Sequence, residues 1–174
     1  MSLHQMPGNL QRGQTRTQIP TGHGLGTYVL FPDADADGYK LTNELVVHRI
    51  VKNNSGGALL PSRVVKWEDG QIGKQVDGSP AANGIPAGIV DPFLPAAGVP
   101  NGSYFLLVVK GMCNAYGDGT PTQNGPLGVA ASGKIKLNGQ TAAELFAACG
   151  VANVDGGSDG DIIRVFFTAP QTNV

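Results

Sequence analysis

Residues 45–67 read LVVHRIVKNNSGGALLPSRVVKW, two runs rich in β-branched residues on either side of a polar, glycine-containing segment. Val46, Val47, Ile50 and Val51 favour an extended strand. Asn53 and Asn54, with Ser55, Gly56 and Gly57, tolerate the positive φ angles of a tight turn. Residues 63–67 resume the strand pattern, and the whole stretch predicts a hairpin. It carries no obvious catalytic group, which points toward shape rather than chemistry.

The same grammar extends in both directions. On the N-terminal side, residues 27–31 (TYVLF) form a short apolar strand expected to stop at Pro32. On the C-terminal side, Ile72 and Val76 lie between turn pairs as a short paired segment, and residues 85–90 (IPAGIV) read as a strand with Pro86 at its entry. Residues 91–101 hold three prolines and read as an ordered loop in which Phe93 and Leu94 are either core anchors, the preferred reading, or an exposed apolar contact patch. Residues 104–110 (YFLLVVK) are unbroken in their apolar character, the mark of a strand buried on both faces, with Gly111 expected to end it. Residues 134–137 alternate as a half-exposed strand, and residues 162–167 (IIRVFF) close the series.

Six Asp-Gly and four Asn-Gly pairs punctuate these runs, the pattern of an all-β fold: a compact barrel or sandwich of short antiparallel strands. One segment departs from it. Residues 141–149 (TAAELFAAC) begin with a capping threonine whose partner is Glu144 and end before Gly150, so a short helix is expected there. Residues 1–26, rich in Gln, Gly, Thr and Pro and without either period, read as a flexible, extended N-terminal arm. Residues 27–174 then make a single β-rich domain, as 174 residues allow.

One stretch matches a site motif. In DADADGYKLTNE, Asp33, Asp35, Asp37 and Glu44, with Gly38, stand at the spacing of an EF-hand calcium loop. The context is wrong for one. A strand and a proline precede it where a helix should enter, a strand follows, and Lys40 places a cation at a position that is normally apolar. The stretch therefore reads first as an acidic, solvated turn, with calcium as the alternative and no metal or other cofactor assigned. Asp155, Asp159 and Asp161 similarly read as acidic turns.

Composition limits the remaining classes. Twelve basic against thirteen acidic residues leave a net charge of -1, so no broad field gathers nucleic acid or an anionic membrane. No run approaches the ~20 apolar residues that span a bilayer. Cys113 and Cys149 lack metal-ligand spacing and read as reduced packing residues. There is no nucleophile elbow, zinc-protease motif or phosphate loop, and His48, the histidine within predicted regular structure, has no carboxylate placed to orient it. No catalytic residue is assigned, and the expectation is that the protein is not an enzyme.

With residues 46–111 laid out, the order of features resembles the head-decoration, or capsid cement, proteins of tailed bacteriophages and prophages. The resemblance is carried by HRIVKN followed by SGGALLPSRVVKW, then IPAGIVDPFLP, then NGSYFLLVVKG. It covers somewhat over a third of the chain, and neither the DADADG turn nor the helix after Gly139 belongs to it. It implies a β domain made in the host cytoplasm and added to the outside of a virion head. There it would bind the major capsid protein and reinforce contacts between capsid subunits, as a homo-oligomer, possibly a trimer. The rival class is a virion fibre, adhesion or carbohydrate-binding β module, stabilised by calcium if residues 33–44 bind it.

Overall fold

The computed structural model describes residues 10–20, 22–80, 85–119, 123–137, 149–153 and 158–169. The fold is all-β. Ten strands occur among these residues: β1 (Tyr28–Ala34), β2 (Lys40–Asn53), β3 (Val64–Val65), β4 (Gln75–Val76), β5 (Gly88–Val90), β6 (Tyr104–Tyr116), β7 (Pro126–Val129), β8 (Ile135–Leu137), β9 (Gly150–Ala152) and β10 (Ile162–Thr168). They form one sheet with the order β1-β2-β6-β10-β9-β7-β8; β3 joins through β5 to β6, and β4 pairs β2. Every pairing is antiparallel except that of β2 with β4. The sheet is open, although a single bridge from Ile135 to Gly117 brings β8 back beside the end of β6.

The long strand β6 is the spine. Phe105, Leu106, Leu107 and Val108 are all within 1% of complete burial, as their unbroken apolar run requires, because consecutive strand side chains point to opposite faces. Leu106 joins Leu10 and Ile50 in a small cluster, with Val29 and Phe31 against it. Phe105 and Leu107 belong to a second cluster with Val51, Val65, Val76 and Val90, against which Trp67 packs. Val108 opens the largest cluster, which continues through Cys113, Ile135, Val165 and Phe167. Cys113 and Cys149 are unpaired and buried within it.

Several expectations are corrected by the fold. Residues 45–67 do not make a hairpin: β2 pairs β1 on one edge and β6 on the other, so β3 has no free edge there and pairs β5 instead. The polar segment between them is closed by Asn53, whose side chain donates to Gly57 O and Val99 O at 2.8 Å each and accepts from Ser55. Pro32 does not stop β1, which runs through it to Ala34. β1 is the sheet edge, where a missing N–H breaks no ladder.

Gly111 does not end β6 either. It adopts a φ of +114° and stays in register opposite Phe167, and a Cβ at this position would lie 3.1 Å from Val46 Cα. Glycine carries the strand through a close backbone crossing that no other residue fits without displacement. Residues 141–148 of the expected helix lie outside the described residues.

From Leu10 onward, the segment expected as an arm lies along the β domain. Leu10 is buried, and the Arg16 backbone exchanges hydrogen bonds with that of Tyr104 in both directions, at 3.0 and 2.7 Å.

Candidate functional site

The ladder between β2 and β6 ends at Val47↔Lys110, while β6 runs on beside β10 to Tyr116. Near this parting lies a cleft of about 860 Å³, lined among others by Arg12, Asp33, His48, Phe93, Cys113 and Arg164. Its residues come from the N-terminal segment, the β1–β2 hairpin, the loop after β5, β6 and β10.

Arg12 organises one wall. Its guanidinium donates to Pro32 O at 3.2 Å and Ala34 O at 3.0 Å, and lies 3.6 Å over the Phe93 ring. These contacts occupy carbonyls of the edge strand β1 and blunt it against further pairing. Burial lowers the Arg12 pKa, and the nearby carboxylates of Asp91 and Asp33 oppose that shift. Asp91 is fully buried; its carboxylate accepts the Gly13 N–H at 2.6 Å and the Phe93 N–H at 3.0 Å. Burial raises its pKa against these two hydrogen bonds and the Arg12 charge.

Asp33 forms the opposite wall. Only 2% exposed, it accepts from Thr42 Oγ1 at 2.8 Å and pairs with the Arg164 guanidinium, linking β1 to β10 across the cleft. His48 is 1% exposed, its Nδ1 lying 3.3 Å from Val46 O and its ring edge-on to Phe31. Burial, assisted by the Arg12 cation, pushes its pKa down to about 3. It is therefore neutral at ordinary pH. The Cys113 thiol is pushed well above its usual range by burial, and Cys149 up to about 12 for the same reason. Neither thiol is an ionised nucleophile at neutral pH. The cleft thus combines paired charges, a neutral imidazole and protonated sulfur, and its ion pair and hydrogen bonds join chain segments distant in sequence.

The candidate calcium residues are not gathered around one point. Asp33 is engaged with Thr42 and Arg164, whereas the Asp35 carboxylate accepts the backbone N–H groups of Asp37 and Tyr39 at 3.0 and 2.9 Å, closing the β1–β2 turn on itself. Asp37 and Glu44 point to solvent, both exposed. Among the described residues, no three His, Cys, Asp or Glu side chains are grouped as a metal site needs. Asp159 pairs with Lys134, and Asp161 accepts the Ser158 N–H at 2.6 Å; Asp155 lies outside the described residues.

Sequence reading missed Arg12, Asp91 and Arg164. Each is a lone charged residue in a polar or apolar context, and the partners that tie it to other parts of the chain lie 20 to 131 positions away, although Asp91 also accepts the Phe93 N–H two residues on. No local spacing could reveal them. A second surface feature is the outer side of the β1–β2 pair, where Tyr28, Leu30 and Leu45 are each more than half exposed. Arg49 lies 4.8 Å over the Tyr28 ring and 5.6 Å over Trp67 beside this patch.

No family model matches the chain, and no curated protein matches it. Among solved structures it is similar to the N base of the head fiber gp8.5 of bacteriophage phi29, with a TM-score of 0.47 and 10% identity, over 73% of this chain and 99% of that one.

Proposed function

We propose that this chain is an accessory structural protein of a bacteriophage head, one that binds the outside of the shell as a decoration or cement protein and reinforces contacts between major capsid subunits. The reading rests on the resemblance of HRIVKN, SGGALLPSRVVKW, IPAGIVDPFLP and NGSYFLLVVKG to that class. One observation supports it. The four segments, scattered over residues 48–111, supply the end of β2, all of β3 and β5, and the first part of β6, and these strands are linked by direct pairing: β3 to β5, β5 to β6 and β6 to β2. The resembling segments therefore make up one contiguous structural unit.

The cleft chemistry is compatible with a binding and scaffolding role, since its charged side chains tie strands together. Repetition of one copy around a symmetric shell turns a modest contact into firm attachment. The proposal is that the partner is the major capsid protein and that the protein acts without nucleic acid, membrane, cofactor or catalysis.

Co-sedimentation with empty heads of the encoding phage or prophage, before and after expansion, tests this. Saturable binding to expanded heads at a fixed stoichiometry per capsid subunit is expected. Absence of saturable binding, or attachment at the tail or at fibres only, would reject it.

A further inference from the structure

Over a short length inside the cleft, β6 is bonded along one edge and left open along the other. Its register with β10 sets Ile163 opposite Ala115 and Val165 opposite Cys113. At the two ends of this ladder Ala169 N–H donates to Val109 O and Gly117 N–H to Asp161 O, and in an antiparallel pair bonded residues alternate with unbonded ones. Odd-numbered residues from Val109 to Gly117 therefore bond the β10 side. The N–H and C=O groups of Lys110, Met112, Asn114 and Tyr116 point to the opposite edge. There Lys110 still faces Val47 of β2, and Tyr116 N–H donates to Ser62 O at 3.1 Å. Between them β2 has left the ladder, and the backbones of Met112 and Asn114 have no hydrogen-bond partner among the described residues.

The cleft runs along this open stretch. Met112, Cys113 and Asn114 all line it, although successive strand side chains point to opposite faces; what the three share with the cleft is the edge of the strand. Leu41, Val46, Phe93 and Val108 give it apolar walls. Its charged lining residues balance, Arg12 and Arg164 against Asp33 and Asp35, and Arg164 is already paired with Asp33. A charged ligand would leave water and meet no uncompensated charge. Donors and acceptors alternating at strand spacing match an extended polypeptide backbone, a pattern that neither nucleic acid nor lipid supplies. The edge at β1 differs, because Arg12 caps it at Pro32 O and Ala34 O.

We propose that this slot receives an extended, uncharged segment of the major capsid protein, which adds to β6 as a short strand beside Met112 and Asn114. The inference rests on the capsid reading and gives that reading a site. Main-chain hydrogen bonds to the open edge supply affinity, and alternate side chains of the segment enter the apolar part of the cleft. The Asp33–Arg164 pair holds the β1–β2 hairpin beside β10, so the slot stands formed before the segment arrives and little ordering is left to oppose docking.

Amide hydrogen exchange of the full chain, free and bound to expanded heads, tests it. In the free protein Cys113 and Ala115, bonded to β10, are protected, while Met112 and Asn114 exchange readily. On heads, Met112 and Asn114 are expected to slow by about tenfold or more. Bound protein in which neither amide slows overturns the inference and leaves the capsid reading standing, whereas failure to bind heads rejects both. Slowing without heads, accompanied by a dimer in light scattering, assigns the slot to a second copy and overturns the capsid occupant. Asn114→Pro provides a second reading. It removes a free N–H at an open edge, where proline is tolerated, and retained protection of Cys113 and Ala115 shows that the variant is folded. Its binding to heads is expected to weaken about tenfold or more; binding equal to wild type overturns the proposal.

Discussion

His48 couples this fold to pH through a single buried ring. Its pKa in the folded protein is about 3, against an ordinary value of 6.5. Because the folded value is depressed, unfolding takes up a proton at any pH between the two. The contribution of His48 to stability is complete above pH 6.5 and is lost progressively as pH falls toward 3, at up to about 1.4 kcal/mol per pH unit. Asp91 acts in the opposite sense, since a raised carboxyl pKa favours the folded state in acid. Urea denaturation of wild type and His48→Gln at a series of pH values between 6.5 and 4.5 is expected to show a shallower slope in the variant. Equal slopes would mean that His48 is not held neutral. Asp33 offers a second check at this scale. Asp33→Ala leaves Arg164 without its partner, but the Arg164 side chain is 22% exposed, so part of its charge stays solvated. A loss of roughly 2–4 kcal/mol is expected, with partial recovery in Asp33→Ala/Arg164→Met; no recovery would place the cost in the Thr42 contact instead.

At the scale of elements, the alternating and continuous apolar patterns located most strands, and their ends and partners were the parts that sequence left open. The YFLLVVK run correctly marked a doubly buried strand, but not that Gly111 would carry it six residues further, to Tyr116. A glycine gives the same local signal whether it ends a strand or permits a close crossing. The hairpin expected over residues 45–67 failed because pairing is a competition for edges, and β1 and β6 already occupy both edges of β2. Trp67 lies at the margin of the second core cluster, half-buried, with its ring facing Arg49. Trp67→Ala is therefore expected to cost about 1–3 kcal/mol, less than the ~3–5 kcal/mol of a fully enclosed aromatic. Chemical denaturation measures it, and a loss below ~0.5 kcal/mol would place the ring in solvent.

For the whole molecule, the all-β class was legible in turn pairs and β-branched runs, whereas the cleft was not. Its makers, Arg12, Asp33, Asp91 and Arg164, converge only through topology, from four separate regions of the chain. The EF-hand-like spacing illustrates the converse. The letters of DADADGYKLTNE fit a calcium loop, yet hairpin geometry turns Asp35 onto its own backbone and Asp33 toward Arg164. The N-terminal segment shows the same limit, because polar composition suggested a free arm while one buried leucine, one arginine and one glycine are enough to lay residues 10–16 on the domain.

The proposed role is reinforcement of a shell, and a ligand that binds only the assembled state must raise its melting temperature. Differential scanning calorimetry of expanded heads, bare and saturated with this protein, measures that directly. The capsid transition is expected to move upward and to rise with occupancy until all sites are filled. An unchanged capsid transition at full occupancy would contradict the account.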